Sequence, residues 1–368
     1  PYVPSTGCLH KFQLKKYSTG FLLSPPDPRR PFSILPVKRY DKLFNIYKES
    51  KRWSNILAFD NVAKLNELIV SGNVSEIIQV AEALHEKKIA LIADKIYEKR
   101  KQLKLILIAG PSSSGKTTFS KRLAIQLKVN SLIPVTLSLD NYFVDREKYP
   151  LDEDGNYDFE SLYALNLNLF NEHMVKLMKG EEVIVPEFDF DIGKSIHGGK
   201  PFRLEKDQLL IIEGIHGLNE KLTFSVPNRN KYKIYVSPLT QLNIDDHTRI
   251  STAWTRLLRR TVRDYQFRSY EAIQTLERWP SVRRGESRNI FPFQHQANVM
   301  FNSALVYELS VLKNLVEILL KRVKKKEPEY DLAQRLLDFL SYFMPIRYDE
   351  VPPTSILREF IGGSSFKY

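Results

Sequence analysis

Residues 110–117 follow the pattern G-x-x-x-x-G-K-[ST], which is typical of loops that bind nucleotide phosphates. The apolar run 103–109 precedes this loop and the helical segment 118–127 follows it, which is the context that the motif requires. Glycines let such a backbone wrap the phosphates, while amide N–H groups and the helix N-terminus supply positive potential. The alternative, a Ser- and Gly-rich loop without function, leaves a lysine and a threonine at the helix start unexplained. The residues predicted to bind the nucleotide are Gly110, Ser112, Ser113, Ser114, Gly115, Lys116, Thr117 and Thr118.

Two side chains of this loop are expected to take part in chemistry. Lys116 would bridge the outer phosphates and act in catalysis, and the Thr117 hydroxyl would ligate Mg²⁺. GTPases, ATPases and motor proteins also contain such loops, so residues elsewhere in the chain must decide the reaction.

Two acidic residues each follow an apolar run. Asp140 comes after residues 133–139, and Glu213 comes after residues 208–212. Open α/β folds bind their ligands at the carboxyl ends of the strands, where both acids would lie. Asp140 could accept a proton from an attacking hydroxyl and also contact the metal, and Glu213 is the expected carboxylate ligand of the metal. Either acid could instead cap a helix.

Arginines recur at helical spacing in the stretch RLLRRTVRD. Arg256, Arg259 or Arg260, and Arg263 would share one helix face. Guanidinium groups on such a face can close over a polyphosphate and stabilise the charge on a transferring phosphoryl group. This pattern predicts catalytic roles for Arg256 and Arg259 and a nucleotide contact for Arg263. A solvated helix face is the alternative interpretation.

From about residue 101 onward, short apolar runs alternate with longer amphipathic segments. Strands that are apolar throughout and alternate with helices predict a parallel sheet covered on both faces. We therefore expect an α/β fold of the P-loop NTPase type in residues 101–368. The candidate strands are 103–109, 133–139, 208–212, 233–236 and 298–302.

The first hundred residues differ in character from the rest. Residues 1–60 are rich in proline, which predicts short strands and loops. Residues 61–100 follow a helical pattern that Gly72 interrupts. We therefore expect a smaller α+β domain in residues 1–100.

Composition limits the class of protein. With 43% hydrophobic and 27% charged residues the chain can bury a core, and no apolar run approaches the ~18–20 residues that span a bilayer. Cys8 is the single cysteine and no secretory signal precedes it, so the cytoplasm is the expected location and no membrane partner is expected. A net charge of +12 fits either nucleic acid or a phosphate-binding pocket. A nucleic-acid partner is not the favoured expectation and would have to bind through the amino-terminal region. The oligomeric state stays open, with a homo-oligomer among the alternatives.

Several of these motifs, taken in order through roughly residues 103–322, resemble the uridine kinase and phosphoribulokinase family of P-loop kinases. The string SLDNYF is similar to the family's strand end with its catalytic Asp, which implies that Asp140 is the base and that Tyr142 lies beside the acceptor. The string YDF is similar to a motif whose Asp grips ribose hydroxyls, which implies that role for Asp158. Glu213 begins a Glu-Gly-Ile motif whose Glu sits on Mg²⁺ in the family, and residues 256–264 resemble the family's lid helix.

The string PEFDFDIGKS resembles the family's pyrimidine-reading segment P-x-Y-D-F-x-x-H-x-R. Its aromatic pair, Phe188 and Phe190, is expected to contact the acceptor. Gly193 stands where the base-reading His belongs, and Ser195 where the Arg belongs. Losing a hydrogen bond to the base predicts weak discrimination for uridine, unless His197 substitutes for the missing His.

The region before the loop also resembles known proteins. It is similar to the modules, related to those of threonyl-tRNA synthetase, that precede the kinase in a bacterial subgroup of this family. That resemblance leaves the purpose of residues 1–100 open.

Together these features predict an ATP-dependent kinase that uses Mg²⁺ and phosphorylates a hydroxyl of a small sugar-containing acceptor, with the 5′-OH of a nucleoside as the expected target. The alternative is a nucleotide-gated RNA-binding or regulatory protein without kinase activity. It is suggested by Tyr40, Phe44, Tyr47 and Trp53, which lie among basic residues. The same spacing fits a helix that packs its aromatic side chains inward.

Overall fold

A computed structural model describes residues 4–8, 10–27, 29–35, 41–56, 60–189, 192–239, 242–245 and 248–368. Phe190, predicted to contact the acceptor, lies outside the described residues. The strands are β1 (Gln13–Tyr17), β2 (Gly20–Ser24), β3 (Pro26–Asp27), β4 (Arg30–Ile34), β5 (Leu105–Ala109), β6 (Ile133–Ser138), β7 (Val183–Asp189), β8 (Lys194–Phe202), β9 (Gln208–Glu213), β10 (Lys231–Ser237) and β11 (Val299–Asn302). The α-helices are α1 (Asp41–Ile56), α2 (Val62–Val70), α3 (Val74–Glu98), α4 (Lys116–Val129), α5 (Leu167–Met178), α6 (Thr252–Arg268), α7 (Ala272–Asn289), α8 (Glu308–Leu320), α9 (Tyr330–Ser341) and α10 (Arg358–Ile361).

The chain forms two compact units, Pro1–Asn45 and Ile46–Tyr368. In the first unit, β1 pairs with β2 and β3 pairs with β4, both antiparallel. The ring of Tyr17 packs edge-on against Phe44 at a centroid distance of 5.0 Å. The predicted short strands therefore occur within residues 13–34, but residues 41–56 form helix α1 where short strands and loops were expected.

The second unit begins before the predicted boundary near residue 101. Gly72, with φ of +84°, separates α2 from α3 as expected. Ile89 of α3 is buried in the same core as Phe119 of α4. Arg122 of α4 also forms an ion pair with Glu82 of α3. This packing makes α2 and α3 part of the larger unit, while the relation of residues 1–100 to synthetase modules stays a prediction.

A five-stranded sheet forms the centre of the second unit, in the order β11-β10-β5-β9-β6. All of its strand pairs are parallel. Each strand contains or overlaps one of the five predicted from the sequence, so the predicted α/β fold is confirmed. Ser138 of β6 pairs in register with Glu213 of β9, which places the carboxyl ends of these two strands at one edge.

Both faces of this sheet are covered, as the apolar strands predicted. In β5, Leu105 and Leu107 belong to the core that contains Phe170 of α5. The alternate residues Ile106 and Ile108 belong to the core that contains helices α3, α4, α6 and α8. All five strand residues of β5 have no exposed surface. Burial of each such large apolar side chain stabilises the fold by about 1.5–3 kcal/mol.

Helix α1 bears on the alternative of an RNA-binding surface. Its aromatic side chains Phe44, Tyr47 and Trp53 are half-buried, whereas Lys48 and Arg52 are exposed; Tyr40 lies outside the described residues. An RNA platform would need exposed aromatic rings between the basic groups. The arrangement matches the interpretation of a helix with its aromatic residues turned inward.

Candidate functional site

The phosphate-binding loop connects β5 to α4, as its sequence predicted. A Cβ on Gly110 would lie 1.9 Å from the Val236 carbonyl oxygen, so no side chain fits there. Gly115 has φ of +83°, and Ser113 adopts φ of +57°, which is uncommon for a residue other than glycine. Left-handed residues of this kind help a loop to form the concave array of N–H groups that binds anions.

Helix α6 and the strand end at β11 hold this loop from outside. Arg256 Nη1 donates to the Ser112 carbonyl at 3.2 Å, and Arg260 Nη1 donates to the Ser112 hydroxyl at 2.9 Å. The Ser303 hydroxyl donates to the carbonyl of Ser114 at 2.5 Å. These contacts use carbonyl and hydroxyl oxygens of the loop and not its amide groups.

The predicted reactive residues of the loop face the two strand-end acids. The Thr117 hydroxyl donates to Glu213 Oε1 at 2.9 Å. Burial raises the pKa of Glu213 to about 7; Lys116 opposes this shift, and the neighbouring carboxylates of Asp140 and Glu359 reinforce it. The structure therefore brings Lys116, Thr117, Asp140 and Glu213 together at the carboxyl edge of the sheet.

Asp140 lies two residues beyond the end of β6. Its side chain reaches solvent, but protein surrounds it, and this burial raises the pKa of its carboxyl group. Lys116, Arg268 and Arg263 act in the opposite direction because their positive charges favour the ionised form. Water reaches this carboxylate, so solvent screens part of both effects.

The loop contains donors that suit an anionic ligand. Ser113 and Ser114 are buried, and their hydroxyls have no hydrogen-bond partner among the described residues. Arg259 Nη1 is likewise buried without a partner in this part of the chain, and a Cβ on Gly115 would lie 3.9 Å from it. Buried polar groups are normally satisfied, so three unused donors at one loop fit the phosphates of a nucleotide.

The same site fits Mg²⁺ in the manner of phosphate-transfer enzymes. No group of three or more His, Cys, Asp and Glu side chains that could hold a metal occurs among the described residues. Mg²⁺ usually takes one or two protein ligands and completes its shell with substrate phosphates and water. The hydroxyl of Thr117 and the carboxylate of Glu213, 2.9 Å apart, provide that kind of partial shell.

Arg256 and Arg259 differ from the exposed arginine face expected of α6. The side chain of Arg256 is 1% exposed and binds Glu286 of α7 through both Nη atoms. Arg259 is fully buried and donates from Nε to Glu308 of α8 at 2.6 Å. Carboxylates on two neighbouring helices neutralise both arginines. Arg256 and Arg259 therefore lie in the core beside the loop and not on an exposed lid helix.

The remaining arginines of α6 surround one buried carboxylate. Asp264 accepts from Arg260 Nε at 3.1 Å and from Arg263 Nη2 at 2.7 Å. Arg268 joins them at 3.6 Å; its side chain is half exposed, and partial desolvation together with the nearby charge of Arg263 lowers its pKa to about 10. Arg263 and Arg268 also act on Asp140, so this cluster borders the reactive edge. Sequence reasoning did not single out Arg268, which lies four residues beyond the repeating pattern.

Two residues predicted to contact the acceptor are packed in the core. Tyr142 is 1% exposed, and its hydroxyl lies 3.0 Å from His173 Nδ1; its ring packs in the core, and its contact with an acceptor stays a prediction. Phe188 is also buried, with its ring 5.5 Å from that of Phe143. Asp158 is only partly buried, and its Oδ1 accepts from the Glu160 amide at 3.1 Å.

The structure adds Glu160 and two aromatic residues to this side of the site. Glu160 Oε2 is buried without a hydrogen-bond partner among the described residues. Burial, followed by the nearby charge of Glu286, raises the pKa of Glu160 to about 7, although Arg260 lowers it. Tyr157 and Phe159 are exposed and flank Asp158, and both could have been found from the motif that contains it.

Packing explains why glycine fits at residue 193, where the family motif has its base-reading His. Gly193 has φ of +69°, and its carbonyl accepts from the Arg146 amide at 2.8 Å. A Cβ on Gly193 would lie 2.7 Å from Arg146 Cζ. The guanidinium group therefore occupies the space that a side chain at residue 193 would need.

A phosphate-binding loop after a buried parallel strand, with acids at the ends of the two strands beyond it, defines the class of P-loop phosphotransferases. The chain belongs to the phosphoribulokinase/uridine kinase family, whose model matches residues 105–310. It is an ATP-dependent kinase. None of the helices in the described part of the chain is long and apolar enough to span a membrane.

Relatives of this family are about a quarter identical to the chain over the residues that align. A uridine kinase from Brevibacillus brevis is 27% identical over 182 residues, which cover 49% of this chain and 75% of the relative. A uridine kinase from Halobacterium salinarum is 26% identical over 212 residues, which cover 57% and 83% of the two chains. The solved structure of a possible uridine kinase from Bacillus stearothermophilus has a TM-score of 0.40 and 15% identity, and the match covers 58% of this chain and 97% of that one.

Proposed function

We propose that this kinase transfers the γ-phosphoryl group of ATP to a hydroxyl of a small sugar-containing acceptor, with the 5′-OH of a nucleoside as the expected target. The observation that carries the proposal is the convergence of Lys116, Thr117, Asp140 and Glu213 at the carboxyl edge of the sheet. The relatives named uridine kinase support a nucleoside acceptor.

Asp140 is the proposed general base. The acceptor oxygen attacks the γ-phosphorus, the bond from that phosphorus to the bridging oxygen of ADP breaks, and the acceptor proton passes to a carboxylate oxygen of Asp140. Asp140 borders Lys116, so a carboxylate that can accept the proton lies next to the lysine proposed to bind the outer phosphates. Asp158 is the proposed residue that orients the acceptor hydroxyls.

Positive groups are proposed to bind the phosphates from several directions. Lys116 and the loop amides contact the outer phosphates, and Arg263 borders the transferring group. Arg259 points its unused Nη1 towards the loop, and Arg256 fixes the Ser112 carbonyl. In this proposal Arg256 and Arg259 act as positioning residues and not as a moving lid.

Thr117 and Glu213 are the proposed protein ligands of Mg²⁺. The ion would draw charge from the phosphate oxygens and so ease transfer. Glu213 would bind it as the ionised carboxylate, which Lys116 favours.

The experiment is a panel of nucleosides, pentoses and polyols incubated with Mg-ATP, with ADP measured enzymatically and phosphorylated acceptors detected by mass spectrometry. We expect a phosphorylated nucleoside, with modest discrimination among bases because Gly193 replaces the base-reading His. Formation of ADP without any phosphorylated acceptor would contradict the proposal. A strong preference for uridine over cytidine and purine nucleosides would instead show that another residue reads the base.

A further inference from the structure

A carboxylate from the carboxyl-terminal part of the chain binds the start of helix α4. Glu359 Oε2 accepts from the Thr118 amide at 2.9 Å and from the Thr118 hydroxyl at 2.8 Å. The Tyr368 hydroxyl lies 2.7 Å from the same Thr118 oxygen. Thr118 is fully buried, so these two residues are the partners that its polar groups contact from outside the helix.

Thr118 is the third residue of α4 and directly follows the loop. Its amide is one of the helix-terminal N–H groups that have no partner within the helix and that bind anions favourably. A phosphate oxygen and the Glu359 carboxylate would seek the same two donors. Since an amide N–H makes one strong hydrogen bond, both anions cannot occupy this position together.

Neighbouring contacts hold Glu359 in this position. Arg358 donates from Nε to the Val351 carbonyl at 3.1 Å and closes the segment on itself. The ring of Phe360 lies 5.0 Å from the Arg259 guanidinium group. A Cβ on Gly115 would lie 2.4 Å from Ile356 Cγ2, so the segment also packs directly against the phosphate-binding loop.

Two glycines separate Glu359 from Tyr368 in this segment. Gly362 and Gly363 follow α10 with φ of +79° and +70°, a conformation that side chains disfavour. Residues beyond this pair lead to Tyr368, which shares the hydroxyl of Thr118. Rotation of the Glu359 side chain would free the Thr118 amide, and displacement of the residues after the glycine pair would remove Tyr368 from the Thr118 hydroxyl.

We propose that Glu359 is an internal competitor of the nucleotide, and that residues 351–368 form an autoinhibitory contact with the phosphate-binding loop. This inference rests on the proposed function, because it requires that the loop binds the phosphates of ATP. Nucleotide binding displaces the carboxylate from Thr118, and the apparent affinity is reduced by the fraction of molecules in which the contact is closed.

The test compares Glu359→Gln with the parent chain by titration calorimetry, with ADP and adenosine as the two probes. Glutamine keeps the size of the side chain but removes its charge. We expect ADP to bind about tenfold more tightly, in line with the strength of a hydrogen bond to a charged group. Adenosine, which has no phosphate, should bind equally to both. Glu350→Gln is the matched control because Glu350 is exposed and directly precedes this segment, and it should bind ADP as the parent does.

Glu359→Ala provides a second variant that also removes the hydrogen-bond acceptor, and it should shift ADP affinity in the same direction. Thermal unfolding checks that every variant is folded. Equal or weaker ADP binding by folded Glu359 variants would overturn the autoinhibitory contact, and a lower unfolding midpoint with unchanged affinity would assign Glu359 to helix capping. Absence of ADP binding in the parent and in all variants would contradict the nucleotide site itself, and with it the proposed function.

Discussion

The ion pair between Arg256 and Glu286 allows a prediction about stability. Glu286→Ala removes the carboxylate that binds both Nη atoms of Arg256 and also accepts from Arg283. Arg256 cannot move to water without leaving the Ser112 carbonyl that it holds. The variant therefore leaves a buried cation without its counter-charge.

The expected loss follows from the burial of the pair. Arg256 is 1% exposed and Glu286 is 0% exposed. Two unit charges about 4 Å apart at an effective dielectric constant of about 20 attract each other by about 4 kcal/mol. Measured losses on removing one partner of a buried pair are about 3–5 kcal/mol. We therefore expect Glu286→Ala to lower the free energy of unfolding by about 3–5 kcal/mol, a large part of the ~5–15 kcal/mol of a typical domain.

Urea denaturation followed by circular dichroism measures this loss. The control is Glu172→Ala, which breaks an exposed pair with Lys176 on α5. An exposed pair of this kind contributes about 0–1 kcal/mol, so the control should unfold almost as the parent does. If Glu286→Ala lowers the free energy of unfolding by no more than Glu172→Ala does, Arg256 does not depend on Glu286 for neutralisation. That result would refute the structural role given to the Arg256–Glu286 pair.

Three further predictions concern the reactive edge. Asp140→Asn should lower turnover by about 10²–10⁴-fold while ATP affinity, measured by calorimetry, falls far less; turnover within about threefold of the parent would exclude Asp140 as the base. Glu213→Gln should raise the Mg²⁺ concentration needed for half-maximal turnover, because one anionic ligand is lost; an unaltered Mg²⁺ dependence would assign Glu213 a structural role. The pKa of Glu160 is about 7 in the folded chain and about 4.5 in the unfolded chain. Between these pH values the folded chain binds more protons than the unfolded chain does, so the free energy of unfolding falls as pH rises from about 4.5 to 7. Glu160→Gln should weaken this fall in urea denaturation at a series of pH values, and a parallel pH profile would contradict the burial of Glu160.

Local patterns in the sequence were enough to predict the parts of the site that are formed by residues next to one another in the chain. The loop at 110–117 and the acids Asp140 and Glu213 each adjoin an apolar strand, and the order of strand, loop and helix fixes where they lie. Gly72 was recognisable as a helix break for the same reason, since its positive φ is a local property.

Contacts between distant residues could not be read from such patterns. Arg256 and Arg259 looked like a charged helix face, but their partners lie 30 and 49 residues further along the chain. The contact between Thr118 and Glu359 spans 241 residues. Tyr142 carried a family motif, and only tertiary packing against His173 showed that its ring is buried. The spacing of the arginines identifies one face of the helix. It does not show whether that face contacts buried carboxylates or water.

The most direct test of the central claim is a single-turnover experiment with ATP labelled in its γ-phosphoryl group, excess enzyme, Mg²⁺ and a nucleoside. We predict that the label appears on the nucleoside 5′-oxygen, and that Lys116→Ala abolishes transfer while its thermal unfolding stays close to that of the parent. Label found only in inorganic phosphate, or equal transfer by Lys116→Ala, would contradict a kinase that uses this loop to phosphorylate a sugar hydroxyl.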